Sequence, residues 1–262
     1  MSDDGVLRRV DGLREPQRLS EQLSTLLAAE IVSGRIGVGE AFPSSEEIVT
    51  RYRVSRTVAR ETVQALSMLG MVNVQHGKRT EVCPEADWDI LSETVQEALR
   101  REGKAELVLH DLYEFRLLIE PRAAAWMAEH GLPDELQELS ALVDRMGVLD
   151  TPEASIQDFM AADRSFHDLI ARASRNRVLA AVSRDIREVI ATLWGFSTLS
   201  RSDTRRAVED HRRIADAIGS RDAREAAAAM SDHLVWAAEA DLHGLGESTR
   251  LRATPAARVE AG

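Results

Sequence analysis

The sequence has a single cysteine, Cys83, in 262 residues. One thiol cannot form an intrachain disulfide, so a disulfide-stapled secreted scaffold is excluded and a reducing compartment is expected. No uninterrupted apolar run approaches the ~20 residues a membrane span needs, so no membrane partner is expected. The start, Met1-Ser2-Asp3-Asp4-Gly5, is acidic and polar and does not read as a signal peptide. A cytoplasmic protein is the expectation. Internal repeats are missing, and the run Ala226–Ala229 is simply good helix former. Hydrophobic residues make up 44% and charged residues 29%, which excludes a disordered chain. The length suits one or two domains with a sizeable core.

What charge there is lies unevenly. Residues 1–83 hold eleven basic and eleven acidic side chains, so the whole net charge of −11 falls on residues 84–262. Within the neutral part, Arg51-Tyr52-Arg53-Val54-Ser55-Arg56-Thr57-Val58-Ala59-Arg60 carries four arginines and no acid. The acidic part should repel polyanions, and this cluster is where one could dock.

The pattern along the chain predicts four stretches: a loose arm over 1–16, a compact head over 17–83, an all-helical part over 84–243 and a tail over 244–262. In the head, Leu19, Leu23, Leu26, Leu27 and Ile31 recur at helical steps and stop at Ser33-Gly34. Ser44 or Ser45 caps a short helix to about Arg51, with Glu46 and Glu47 in its first turn. Ser55 caps another, ended by Gly70. Residues 71–82 read as a hairpin turning at Gln75-His76-Gly77-Lys78. Beyond Pro84 the period is helical throughout, with helices near 87–102, 105–130, 133–147, 152–174, 176–198, 203–219 and 221–242. The fold class is mainly α: a winged helix-turn-helix followed by a helical bundle.

On a helix over 55–69, Arg56, Thr57, Arg60 and Gln64 fall within an arc of about 100°, opposite Ala59, Thr62, Val63, Leu66 and Leu69. Guanidiniums, a hydroxyl and an amide near a helix N-terminus suit phosphates and base edges in a DNA major groove. An isolated cluster of this kind is equally a solvated arginine face. Helix, turn, polar-fronted helix and hairpin in immediate order favour the groove.

Residues 17–83 resemble the DNA-binding domain of the GntR family of bacterial transcription regulators. The resemblance rests on Ile31-Val32-Ser33-Gly34-Arg35-Ile36, Phe42-Pro43-Ser44, Val54-Ser55-Arg56-Thr57, Arg60-Glu61, Leu66, Leu69-Gly70 and Gln75-His76-Gly77-Lys78. It implies DNA contacts from Arg56 and Arg60, and a wing tip at His76 and Gly77 that approaches the minor groove. Two positions depart from the family. Glu46 stands where an arginine often contacts DNA, and Arg79 replaces the usual second wing glycine, which should restrict the turn while adding a cation.

In the helical part, Asp163 and His167 are i and i+4 on a face otherwise made by Phe159, Phe166 and Ile170. His211 shares a face with Ile214, Ala215 and Ile218, and His233 with Ala226, Met230 and Ala237. Buried polar groups need partners. A hydrogen-bonded core pair is one answer, and a divalent metal is another. Aspartate with imidazoles suits Zn, Ni, Mn or Fe.

This region, from about 88 to 242, resembles the FCD ligand-binding domain of FadR-type GntR regulators. The motifs are Leu112-Tyr113-Glu114-Phe115-Arg116-Leu117-Leu118-Ile119-Glu120, Asp163-Arg164-Ser165-Phe166-His167, Asn176, Glu209-Asp210-His211-Arg212-Arg213-Ile214 and His233-Leu234. The resemblance implies that Asp163, His167, His211 and His233 ligate a divalent metal, zinc first among the candidates. It also implies that Arg116 grips the carboxylate of a small effector. Read without it, Arg116 is a salt-bridge partner for Glu120 at i+4, and the two roles are compatible.

The expected function is a ligand-responsive transcription regulator. It would bind an inverted-repeat operator in double-stranded DNA as a homodimer, and a small organic acid would modulate that binding. Two alternatives stay open: a metal-dependent hydrolase-like enzyme, and a regulator that senses the metal itself. Against an enzyme stand the absence of His-Glu-x-x-His, the lack of a separate general base and the presence of the winged head.

Overall fold

The computed structural model describes residues 14–75, 77, 79–151, 153–194 and 201–244. The chain divides into two compact units, Met1–Lys104 and Ala105–Gly262. Of the expected arm only its last residues, and of the tail only Gly244, are among those described. The wing residue His76 also lies outside them.

The first unit begins with α1 (Arg14–Val32), α2 (Ser45–Tyr52) and α3 (Arg56–Met68). Ser44 caps α2 in a reciprocal box: its hydroxyl accepts from the Glu47 N–H while the Glu47 carboxylate accepts from the Ser44 N–H. Ser55 caps α3 by accepting from the Val58 N–H at 3.2 Å. The face of α1 that buries is Leu23, Leu27 and Ile31, together with Ser20 and Ser24, while Leu19 and Leu26 stay partly exposed. The small hydroxyls let α3 come close. Ser24 donates to the Ser20 carbonyl at 2.8 Å, and the Thr62 hydroxyl, itself bonded to Val58, lies 3.4 Å from the same oxygen. Strands β1 (Val72–Asn73) and β2 (Glu81–Val82) pair antiparallel, Val72 with Val82 and Asn73 with Glu81.

Gly70 ends α3 with φ 68°, and a β-carbon there would lie 2.0 Å from the Asp87 carbonyl oxygen. Backbone conformation and space both demand glycine. Gly70→Ala should destabilise this unit by more than about 2 kcal/mol, to be read from urea unfolding.

The unit runs on past Pro84. Helix α4 (Glu93–Arg101), capped by Ser92, buries Val95, Ala98 and Leu99 and packs against α1. Arg35 pairs with Glu30 at 3.1 Å and Glu102 at 3.0 Å, and Lys104 donates to the Val32 carbonyl. The stretch that sequence patterning joins to the helical half therefore folds with the first unit, because its apolar stripe finds a partner in α1.

Six helices form the second unit among the described residues: α5 (Ala105–His130), α6 (Pro133–Leu149), α7 (Ile156–Ala173), α8 (Arg177–Trp194), α9 (Arg201–Gly219) and α10 (Ala223–Gly244). Its core holds Met127, Leu139, Met146, Phe166, Ile170, Ile214 and Met230. Helix α10 packs along α5 and α9, and α6 against α7 and α9. The α5–α10 pair is antiparallel. Tyr113 near the start of α5 meets Asp241 near the end of α10, and Arg221 just before α10 donates to the carbonyls of Ala128 and Gly131. Among the described residues no helix is long and apolar enough to cross a membrane.

Candidate functional site

Three helices converge on one point in the second unit. From α7 come Asp163 and His167, one turn apart; from α9 comes His211, and from α10 His233. One potential ligand atom from each lies within 4.8 Å of every other. All three imidazoles are buried, at 2%, 0% and 3% exposure for His167, His211 and His233. Phe166 stands edge-on to His211 at 4.6 Å and to His167 at 5.5 Å, fixing the ring planes from one side.

Proton placement follows from the partners. His211 Nδ1 lies 2.6 Å from the Ala207 carbonyl oxygen, which only accepts, so Nδ1 carries the proton and Nε2 presents its lone pair. His167 Nδ1 lies 2.8 Å from Glu120 Oε2, a close contact set off the ideal N–H line, and points its Nε2 the other way. The two Nε2 atoms face each other at 3.2 Å, with Asp163 Oδ1 at 3.2 Å from His211 and 4.0 Å from His167. Three potential ligand atoms thus face one another across 3.2–4.0 Å. Such a set repels itself unless a cation, proton or metal ion, sits between.

Burial pushes the His233 imidazole down to about 3, helped by the neighbouring His211. It also lowers His167, against the pull of Glu120. Both are therefore neutral, ligand-ready imidazoles at physiological pH. Burial would raise the Asp163 carboxyl, but its close contact with His211 and the surrounding imidazoles hold it well below the carboxylate range. On the outer side of His233, its Nδ1 and Asp210 Oδ2 are 3.7 Å apart, both buried and without a hydrogen bond.

Behind the cluster stands Glu120, 3% exposed. Besides His167 it accepts from Arg116 Nε at 2.8 Å and from Arg187 Nη1 at 3.3 Å. Burial opposes its charge, but Arg116, His167 and Arg187 hold it ionised far below its usual range. Arg187 also donates to Asp168. Arg116 is buried and lies 5.0 Å over the ring of Tyr113. Sequence reading offered two settings for Arg116, and its fork engages Glu120 as the i+4 partner in a buried rather than exposed pair.

A cavity of about 70 Å³ opens beside these groups. Its polar wall includes Arg116, Asp163, His167, Arg187, His233 and Asp241, and its apolar wall Phe159, Met160, Ile190 and Trp236. His110 and His130 stand apart, beside Asp111 and Glu129, and are partly exposed.

Arg187, Tyr113 and Asp241 were not legible as cavity residues. The two charged residues left a trace, however. Arg187 interrupts the buried stripe Ser183, Ile186 and Ile190 on α8, and Asp241 closes the stripe Met230, Leu234 and Ala238 on α10.

In the first unit, Arg56, Thr57, Arg60 and Gln64 are all exposed on one side of α3, with Val58, Ala59, Thr62 and Leu66 buried on the other. Gly77 is exposed with φ 72°. Glu46 is exposed on α2, so its carboxylate stands at the head's surface. Arg79 is exposed just after the wing turn, where its cation faces solvent.

Comparison with known proteins agrees with both halves. Residues 19–82 match the family of bacterial regulatory proteins of gntR type, and residues 111–235 match the FCD domain. The transcriptional repressor NanR of Escherichia coli is 28% identical over 245 residues, covering 89% of this chain and 88% of that protein. The transcriptional regulator LutR of Bacillus subtilis is 26% identical over 211 residues, covering 78% of this chain and 92% of that one. The solved structure of Lar, which controls the agr system of Listeria monocytogenes, shares the fold. Its TM-score is 0.55 at 14% identity, over 86% of this chain and 97% of that one.

Proposed function

The chain belongs to the GntR family of bacterial transcription regulators, with a FadR-type FCD domain behind its DNA-binding head, and from that premise we propose that a metal-anchored organic acid controls its grip on DNA. Its relatives are regulators and not enzymes, and it is a DNA-binding regulator in turn. Working on the chromosome, it acts in the cytoplasm.

One observation carries the metal: two imidazole Nε2 atoms and a carboxylate oxygen converge in a buried pocket, with His211 Nδ1 turned to the Ala207 carbonyl and His167 Nδ1 toward Glu120. Asp163, His167, His211 and His233 would hold the ion, and N/O donors of this kind suit Zn, Ni, Mn or Fe, zinc first. When bound, the metal supplies a positive charge on which an anion can rest. Arg116 stands on the same cavity and adds a guanidinium matched to a carboxylate. The effector is then a small organic acid. Its binding shifts the placement of two heads in a homodimer, and so operator affinity.

The DNA face is Arg56, Thr57, Arg60 and Gln64 on α3, with His76 and Gly77 at the wing. The operator is an inverted repeat, because one short helix reads too few bases alone. Arg56→Ala and Arg60→Ala should each weaken operator binding by about 1–3 kcal/mol and leave folding intact. Anisotropy titrations on a duplex selected from a random pool would measure this. Wild-type affinity in both variants would show that another face reads DNA.

The whole reading is tested by binding that duplex with metal-loaded and chelator-treated protein, each with and without candidate acids. Acid-dependent affinity only in the loaded form supports it. A response to metal alone would make the metal the signal.

A further inference from the structure

Of the groups that line the cavity, one pair lies outside both the proposed metal ligands and the arginine that would meet the carboxylate. Tyr113, on α5, and Asp241, on α10, are buried at 3% and 7% exposure, and the tyrosine hydroxyl donates to Asp241 Oδ2. A phenol has one proton to give, so this bond consumes it and fixes both side chains. Asp241 Oδ1 has no donor among the described residues, and the carboxyl lines the cavity beside Ala237 and Ala240. Small neighbours leave room in front of it. Arg116 sits over the Tyr113 ring, so the acceptor oxygens stand one ring away from the guanidinium.

We infer that the Tyr113–Asp241 pair determines effector specificity by accepting a hydrogen bond from a hydroxyl or ammonium on the acid, so that the effector is a donor-bearing carboxylate and not a plain acid or a dicarboxylate. The inference rests on the reading that an acid binds beside the metal. It adds a second requirement at the far side of the ligand. A ligand hydroxyl can donate to Asp241 Oδ1. A methylene offers that oxygen no donor, and neither does a second ionised carboxylate. Sites built to hydrogen-bond a substrate hydroxyl discriminate strongly against analogues lacking it, because their own polar groups are then stranded.

The test is calorimetry on zinc-loaded full-length protein with matched acids: lactate, propionate and alanine; malate and succinate; gluconate and hexanoate. In the wild type the donor-bearing member of at least one set should bind about tenfold or more tighter than its deoxy partner. Lactate against alanine separates the hydroxyl from the ammonium. Asp241→Asn turns an acceptor toward a donor, so the ratio should collapse toward one, with succinate gaining relative to malate. Tyr113→Phe frees Asp241 and should blur the ratio while zinc content stays normal. Zinc analysis and thermal melting identify any variant that has merely misfolded, and the ratio is a readout that a structural role would not move. Acids that bind wild type with no preference for a donor, or a preference that survives Asp241→Asn, overturn this inference and leave the metal-anchored acid standing. If no acid binds loaded wild type, both fall.

Discussion

Purified His211→Ala protein should come away from metal-free buffer nearly empty, its affinity for zinc lower by more than about a hundredfold. Losing even an outer partner of a metal ligand costs about 10–100-fold, and His211 would supply a ligand itself. It is the most completely buried of the three imidazoles, and its Nδ1 bond to Ala207 aims Nε2 at both Asp163 and His167. Arg116→Ala should behave differently. It touches no ligand directly, so metal content stays normal while affinity for the acid drops. Operator binding without effector should persist in both, since neither residue belongs to the head. Metal analysis with effector calorimetry separates the cases, and full metal content in His211→Ala would mean that the ligand set is wrong. Acid should mimic the loss in wild type. His233 is held neutral down to about 3 in the fold against 6.5 when free. Its folded value is depressed, so the stability tied to it is whole above 6.5 and drains away as pH falls toward 3. Metal-free protein should melt at progressively lower temperature across that window.

The second large effect is at Glu120. Glu120→Ala would leave two buried guanidiniums, Arg116 and Arg187, short of a counter-charge and His167 without its outer partner. Breaking a buried ion pair from one side costs about 3–5 kcal/mol. We expect a loss of that order in the second unit, measured by denaturant unfolding, together with weakened metal retention. Glu120→Gln keeps the shape and some hydrogen bonds but drops the charge, and should fall between. A Glu120→Ala protein as stable as wild type would mean that Arg187 is neutralised by Asp168 alone and that Glu120 is dispensable. Because Glu120 touches His167 and both arginines, its removal should lower metal and acid affinity together, unlike Arg116→Ala.

Much of this was readable beforehand where a single helix carries the information. Asp163 and His167 sit one turn apart, so spacing alone puts them side by side. The arc of Arg56, Thr57, Arg60 and Gln64 is likewise a property of one helix, and all four emerge exposed on α3. The convergence of His211 and His233 on that pair came instead from the family resemblance, because nothing in linear spacing says which faces of α7, α9 and α10 meet. The same limit hid Arg187 and Asp241, each a charged residue on a buried stripe whose partner lies on another helix. It also hid the attachment of α4 to α1. The change in texture after Pro84 marks where strands stop, whereas the compact unit ends where buried contacts stop, at Lys104.

The antiparallel pairing of α5 with α10 fixes when the site can exist during synthesis. The first helix of the second unit has its main partner in the last, so the bundle cannot close until α10 is made. At ribosomal rates of about 5–20 residues per second, the roughly ninety residues between the end of α5 and the start of α10 take on the order of ten seconds. Throughout that interval Glu120, Arg116 and Tyr113 are already present, but His233 and Asp241 are not. The head, whose contacts are more local, can fold ahead of it. A nascent chain would thus acquire its DNA-reading surface before the part that regulates it.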